Sequence, residues 1–124
     1  MKFQGVIPVL SCHHIQQTLA FYQQAFRYVI INKREGVTGL EWVHLKSDNS
    51  YLMLQAHSGE NPEQITKNDK IILYYYTDDI EDQYRFMKAK GIDLDVMTTT
   101  EYGMKQYYLA DPEGNRLCIG QKID

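Results

Sequence analysis

The sequence predicts an α+β fold made of two copies of a β-α-β-β-β unit. The first observation is internal similarity: Ile7 falls on Ile72 when the chain is shifted by 65 residues (72 − 7 = 65), and apolar positions stay in step from end to end. The second is that each copy contains one stretch of helical periodicity between strand-like stretches. A long period seen twice favours a duplicated unit over an open array of repeats. Further matching pairs are Ile15 with Ile80, Phe21 with Phe86, Trp42 with Tyr107, Leu52 with Leu117 and Met53 with Cys118.

The first copy begins with a predicted strand over residues 5–11. Pro8 cannot donate to a ladder, so it indicates an edge strand or one that bends or crosses over. A helix over residues 13–26 is predicted by apolar residues at helical spacing, namely Ile15, Leu19, Tyr22 and Phe26. Three short strands are predicted to follow, over residues 28–32, 40–46 and 51–55.

The second copy follows a polar linker over residues 57–69 and repeats the same order. The stretch IILYYYT at residues 71–77 predicts a strand, and Asp78 or Asp79 is the expected N-cap of the next helix. That helix should bury Ile80, Tyr84 and Met87 and end at Gly91. The remaining predicted strands cover residues 93–98, 105–110 and 115–121.

Composition narrows the class of function. A net charge of −3 with scattered Lys and Arg gives no basic face for nucleic acid. No apolar run approaches the ~20 residues of a membrane helix, so no membrane association is expected. With two cysteines and no framework of spaced pairs, a reducing cytoplasm is the expected location. Ten tyrosines suggest a core that borders a wet cavity or an interface.

Three segments carry a resemblance to a known family, namely residues 7–26 (IPVLSCHHIQQTLAFYQQAF), 77–92 (TDDIEDQYRFMKAKGI) and 101–115 (EYGMKQYYLADPEGN). In these the chain resembles the vicinal oxygen chelate superfamily of glyoxalases, extradiol dioxygenases and bleomycin-resistance proteins. It is most similar to the bleomycin-resistance branch. The resemblance implies two βαβββ repeats, about 1–56 and about 69–124, that form cup-shaped mixed sheets in one domain, 1–124. It also implies a homodimer with ligand grooves between subunits, and Pro8 fits a first strand exchanged with the partner.

Enzymes of this superfamily hold a divalent metal with His and Glu side chains from four strands. Carried over by resemblance, those ligand positions are Ile7, Met53, Ile72 and Cys118. Isoleucine offers no donor atom, and one thioether with one thiol cannot replace imidazole and carboxylate ligands. We therefore expect neither a metal nor another cofactor.

Other chemistry-bearing residues have structural interpretations. Adjacent His13 and His14 are not expected to chelate one ion, and His57 lies in the polar linker. His44 is interpreted as a hydrogen-bonding wall residue rather than a catalyst. Cys12 and Cys118 are interpreted as buried structural thiols, because nothing nearby in sequence lowers the pKa of Cys118. No catalytic residue is predicted.

An aromatic cup remains as the predicted site. Strand alternation from the family positions puts Tyr51 in phase with Met53, and Tyr74 and Tyr76 in phase with Ile72. The repeat pairs Trp42 and His44 with Tyr107 and Leu109. The predicted ligand-binding residues are Trp42, His44, Tyr51, Met53, Tyr74, Tyr76, Tyr102, Gly103, Tyr107 and Cys118.

The leading hypothesis is non-enzymatic binding and sequestration of a small planar or cationic molecule, as in bleomycin-resistance proteins. An aromatic wall suits such a guest, since each cation–ring contact contributes ~0.5–2 kcal/mol. Two alternatives stay open. One is a superfamily enzyme (lyase, dioxygenase or thiol transferase) with an unrecognised metal site that uses His44. The other is a structural module whose cup is filled by its own side chains.

Overall fold

The computed structural model describes residues 1–57 and 67–123, and Asp69 by its backbone alone. The chain divides into two compact units, Met1–Gln64 and Ile65–Asp124. Each unit contains one helix and one four-stranded mixed sheet, and each sheet is open. The predicted α+β fold of two βαβββ repeats is confirmed.

The first unit has a sheet in the order β1-β4-β3-β2. Its elements are β1 (Val9–Cys12), α1 (Ile15–Phe26), β2 (Val29–Gly36), β3 (Gly39–Ser47) and β4 (Ser50–Ala56). The β1 strand runs parallel to β4, and the other pairs are antiparallel. The predicted first strand began too early: Pro8 precedes β1, where its carbonyl accepts a hydrogen bond from Met53 N at 3.0 Å. The edge position expected from Pro8 holds, since β1 pairs with β4 alone.

The α1 helix buries one face against the sheet. Leu19 and Tyr22 from the predicted stripe are buried, with Thr18 and Ala25 beside them. The helix ends at Arg27, which adopts a left-handed conformation with φ 59°. Glycine adopts this conformation at a lower free-energy cost. Arg27 at this position therefore lowers the stability of the fold slightly where the chain turns toward β2.

The second unit has a sheet in the order β5-β8-β7-β6. Its elements are β5 (Asn68–Tyr76), α2 (Ile80–Ala89), β6 (Thr98–Thr99), β7 (Met104–Ala110) and β8 (Asn115–Lys122). The β5 strand runs parallel to β8, whereas β6, β7 and β8 are antiparallel neighbours. The strand predicted over residues 93–98 shrinks to the two residues of β6.

The start of α2 corrects one prediction and its end confirms another. Asp79 is the N-cap residue, but its side chain makes no capping hydrogen bond. Gln121 of β8 takes that role, because its Oε1 accepts a hydrogen bond from Ile80 N at 2.8 Å. A contact distant in sequence therefore satisfies the helix start. At the other end Gly91, with φ 80°, terminates the helix as predicted.

The two sheets are related by the 65-residue shift except at one strand. Val9 pairs with Met53, and Tyr74 pairs with Cys118, so both members shift by 65 (74 − 9 = 65; 118 − 53 = 65). His44 also pairs with Met53, whereas Tyr108 pairs with Cys118 (108 − 44 = 64). The β7–β8 hairpin is therefore one residue longer than the β3–β4 hairpin.

That extra residue reverses side-chain direction on β7, because strand residues alternate between the two faces of a sheet.

No helix within residues 1–57 and 67–123 is long and apolar enough to span a membrane.

Candidate functional site

The first sheet buries one face beneath α1 and leaves the other face open. Val43 and Leu45 of β3, and Leu52 and Leu54 of β4, are fully buried on the helix side. Alternation sends their neighbours to the opposite face, which we call the first open face. Its predicted site residues are Trp42, His44, Tyr51 and Met53.

The rings on the first open face adjoin one another. Met53 lies between Val9 and His44 in the strand register. The His44 ring centroid is 6.1 Å from that of Trp42 and 6.0 Å from that of Tyr51. Lys46 Nζ lies 5.6 Å from the centroid of the Tyr51 ring. The structure thus brings together the four site residues that the sequence predicted for this half.

His44 differs from its predicted role in one respect. Its Nε2 is buried and makes no hydrogen bond to any residue in the described part of the chain. The surrounding contacts are ring contacts, so His44 packs as an aromatic wall residue there. A polar atom in this state is costly to bury, and such atoms often find a partner in water or a ligand.

The second sheet is organised in the same way. Tyr107, Leu117 and Ile119 are buried on the side of α2. The opposite side, which we call the second open face, carries the alternate residues of three strands. The central ones are Tyr74 and Tyr76 of β5, Gln106 and Tyr108 of β7, and Arg116, Cys118 and Gly120 of β8.

A directed chain of hydrogen bonds crosses the second open face. The Tyr74 hydroxyl donates to Gln106 Oε1 at 2.8 Å. Gln106 Nε2 donates to the Tyr108 hydroxyl at 3.4 Å. Gln106 is 5 % exposed, so the amide that links the two tyrosines is fixed and nearly dry. Burial raises the pKa of Tyr74 to about 12 and also raises that of Tyr108, with smaller contributions from the neighbouring Cys118.

Gly120 makes room for this arrangement. A Cβ atom at this position would overlap the Tyr74 hydroxyl and lie 2.6 Å from Cζ of the same ring. The Tyr74 ring therefore lies directly over the β8 backbone, which only glycine permits at this position. Tyr76 extends the aromatic surface, with its ring centroid 5.0 Å from that of Tyr74.

Cys118 lies at the centre of the second open face and is fully buried. Burial raises the pKa of its thiol, and this outweighs the opposite effects of Tyr108, Arg116 and Tyr74. Since the thiolate is the reactive form, the thiol is unreactive near neutral pH. The structure agrees with the predicted structural role of Cys118, although Arg116 and the two tyrosines do oppose the rise in its pKa.

The predicted positions of Tyr107 and Leu109 in the cup are wrong. Tyr107 is fully buried on the helix side, where its ring meets Tyr84 of α2 edge-on at 4.9 Å. Its hydroxyl lies 3.6 Å from Met87 Sδ. Leu109 shares this parity and is 5 % exposed. The cause is the extra residue in the β7–β8 hairpin, which places Gln106 and Tyr108 on the open face instead.

The last two predicted site residues lie in the turn before β7. Tyr102 is 72 % exposed. Gly103 has φ 83°, and its carbonyl accepts a hydrogen bond from Ile123 N at 2.9 Å. The turn is therefore tied to the end of β8, with Tyr102 projecting into solvent.

The donor set does not fit the superfamily's metal. Ile7 and Ile72 have no donor atom, and Cys118 is a buried thiol with a raised pKa. Over residues 1–57 and 67–123, no three His, Cys, Asp or Glu side chains come together as a potential metal centre. His13 and His57, which the sequence analysis treats separately, have ring centroids 4.4 Å apart.

Sequence reasoning missed four residues of the second open face: Gln106, Tyr108, Arg116 and Gly120. A signal was available in the turns. Ser47 and Ser50 close a two-residue turn, whereas at the equivalent place Asp111 N donates to Asn115 O at 3.0 Å across the three residues PEG. Counting from the turns inward gives the correct parity on β7.

Comparison with known families gives a match over residues 7–119 to the Glyoxalase/Bleomycin resistance protein/Dioxygenase superfamily. The chain belongs to this superfamily. No curated protein sequence matches it.

The solved structures that resemble this chain include both binding proteins and an enzyme. A bleomycin resistance determinant encoded on the transposon Tn5 has a TM-score of 0.75 and 23 % identity, with 97 % of this chain and 98 % of that chain covered. A bleomycin-binding protein complexed with bleomycin has a TM-score of 0.74 and 23 % identity, with coverage of 97 % and 99 %. A lactoylglutathione lyase from Agrobacterium tumefaciens has a TM-score of 0.72 and 19 % identity, with coverage of 97 % and 95 %. At these identities the likeness establishes the fold alone.

Proposed function

We propose that this protein binds and sequesters a small planar molecule without chemically changing it. The observation that carries the proposal is the second open face, where tyrosine rings are held in place by hydrogen bonds around a fixed glutamine. Apolar and aromatic surface with a few oriented polar groups is the usual composition of a ligand site. The first open face, a surface of the other unit, carries Trp42 and Tyr51 next to the His44 ring, whose Nε2 has no partner within the described chain.

Two further findings support binding rather than catalysis. The positions that hold the metal in superfamily enzymes lack suitable donor atoms here. Cys118, the one nucleophile central to the second open face, is buried with a raised pKa. The bleomycin-binding protein of similar fold is a precedent for a ligand-binding role on this scaffold. The lyase of similar fold defines the competing hypothesis.

The test is a titration of the fluorescence of Trp42, the single tryptophan, with Trp42→Phe as the blank. Metal-free bleomycin and a set of planar aromatic compounds of differing charge serve as probes, and thermal shift is measured in parallel. Saturable binding of one molecule per chain at micromolar concentration, about −8 kcal/mol, is expected for at least one probe. Absence of any response up to millimolar concentration of every probe would overturn the proposal.

Metal analysis of the purified protein separates binding from catalysis. We expect no stoichiometric Zn²⁺, Ni²⁺, Mn²⁺ or Fe²⁺ after dialysis against each ion. Tight retention of one ion per chain, lost in His44→Ala, would favour the enzyme hypothesis instead.

A homodimer that exchanges the first strand between subunits is part of the proposal. The segment before β1 is well exposed, with Phe3 at 89 % and Val6 at 91 %. Exposed apolar residues at a sheet edge are suited to pairing with another chain. Light scattering with and without residues 1–8 tests it, and a monomer at micromolar concentration would contradict it.

A further inference from the structure

We propose that the second open face recognises the carboxylate group of a planar aromatic acid, with Arg116 as the residue that pairs with it. This inference rests on the proposed function and specifies the chemical class of the guest. Of the planar or cationic guest expected from the sequence, it keeps the planar ring and replaces the positive charge with a negative one.

Arg116 is held in place without using its hydrogen-bond donors. Its guanidinium carbon lies 4.1 Å from the centroid of the Tyr108 ring, so the planar group stacks on the tyrosine. Within the described chain, Arg116 has no ion pair and donates no side-chain hydrogen bond. Stacking uses the face of the guanidinium and leaves its in-plane N–H groups available. A part-buried, oriented and unpaired guanidinium is suited to bind an anion.

The hydrogen-bond chain beside Arg116 fixes the ring on which Arg116 stacks. Tyr74 donates to Gln106, and Gln106 donates to the Tyr108 oxygen. The Tyr108 hydroxyl also hydrogen-bonds to the Cys118 thiol, which acts to lower the pKa of that thiol. Because Tyr108 is held at both points, the guanidinium that stacks on it has a defined position on the open face.

The charged residues on the strands of this sheet also favour an anionic guest. From Ile72 onward β5 carries no acidic residue, and neither do β6, β7 and β8. The two acidic residues of the turn before β8, Asp111 and Glu113, are both buried, and Asp111 accepts hydrogen bonds from Glu113 N and Asn115 N at 2.9 Å each. A cationic guest would lose its hydration beside Arg116, whose like charge repels it, which is unfavourable.

The aromatic residues select the rest of the guest. Tyr74, Tyr76 and Tyr108 offer ring surfaces on either side of Cys118, and Tyr76 is 79 % exposed. A flat carboxylate matches the guanidinium fork in two parallel hydrogen bonds and can lie in the plane of an attached aromatic ring. The guest that fits is thus an aromatic acid whose ring stacks on tyrosine while its carboxylate meets Arg116.

The test is calorimetric titration of the full chain with three probes that share one ring: naphthoate, its neutral amide and its cationic amidine. We expect naphthoate to bind at least about tenfold more tightly than the amide, since charge-assisted bonds are about twice as strong as neutral ones. The amidine should bind most weakly. Added salt should weaken naphthoate binding and leave amide binding unchanged.

Two charge-matched variants locate the effect. Arg116→Gln should abolish the preference for naphthoate and leave the amide affinity within about twofold. Lys105→Gln removes the same charge from β7 on the helix side, where Lys105 pairs with Glu81, and should leave all three affinities unchanged. Arg116→Lys, which keeps the charge but loses the fork, should retain part of the preference and serves if Arg116→Gln fails to fold.

The outcomes separate this inference from the proposed function. Equal or tighter binding of the amide or amidine, or naphthoate binding that Arg116→Gln does not weaken, overturns the carboxylate inference and leaves binding intact. Binding of metal-free bleomycin with no response to naphthoate has the same meaning. No response to any of these probes overturns both.

Discussion

The two open faces belong to the two copies of one repeat, yet they carry different side chains. The first carries Trp42 and His44 on its third strand, and the second carries Gln106 and Tyr108 at the corresponding places. One extra residue in the second hairpin turn accounts for the change, because it reverses which side chains of β7 face the helix. The comparison teaches that a turn length can alter a candidate site more than any substitution within a strand.

The largest predicted difference is in the free energy of unfolding of variants at Trp42 and Tyr107, the residues that the 65-residue shift pairs. Tyr107→Ala removes a fully buried ring beneath α2 and should lower the free energy of unfolding by about 3–5 kcal/mol. Trp42→Ala removes a partly exposed ring on the first open face and should cost no more than about 1–2 kcal/mol. Urea unfolding of both variants measures the difference. Equal losses would show that the two residues share one environment and that the parity change is absent.

A smaller difference in the free energy of unfolding is expected between variants of the two hairpin turns. Asp111 anchors the longer turn by accepting bonds from the backbone of Glu113 and Asn115, and from Asn115 Nδ2 at 3.0 Å. Asp111→Ala should therefore lower the free energy of unfolding by about 2–3 kcal/mol. Asp48 of the shorter turn has φ 49°, so Asp48→Gly should be neutral or raise it by up to about 1 kcal/mol. Thermal unfolding of the two variants measures both changes. A lower stability of Asp48→Gly would contradict the prediction for the shorter turn.

The smallest effect is the part of the alkaline pH dependence of stability that Tyr74 contributes on the second open face. The pKa of Tyr74 rises from its ordinary 10.0 to about 12 in the folded protein. The folded state therefore holds this proton where the unfolded state has released it, so stability falls as the pH rises from 10 through 12. Tyr74→Phe should make the alkaline loss of stability shallower. Denaturant midpoints across this range measure it, with Tyr51→Phe on the first open face as the control. An unchanged slope in Tyr74→Phe would show that Tyr74 titrates normally.

Much of the first open face was predictable once the superfamily resemblance had assigned Met53 to it. Alternation from Met53 gave Tyr51 on β4, and the short turn at residues 48–49 kept β3 in phase with it. The same reasoning failed on β7, because Tyr107 and Tyr108 are adjacent and equally apolar. With tyrosine available to either face, the hydrophobic pattern could not fix the phase of that strand.

The sequence by itself determined the repeat, the two helices, the order of helix and strands along each copy, and that no imidazole or carboxylate stands at the four positions carried over from the superfamily's metal site. These follow from periodicity, from Gly91 as a helix stop and from the chemistry of individual side chains. Tertiary structure decided the N-terminal partner of α2, which is Gln121 rather than Asp79, and the stacking of Arg116 on Tyr108. Both depend on the register of β8 with its neighbours. Register is a property of paired strands and turn lengths, so no single segment of the chain specifies it.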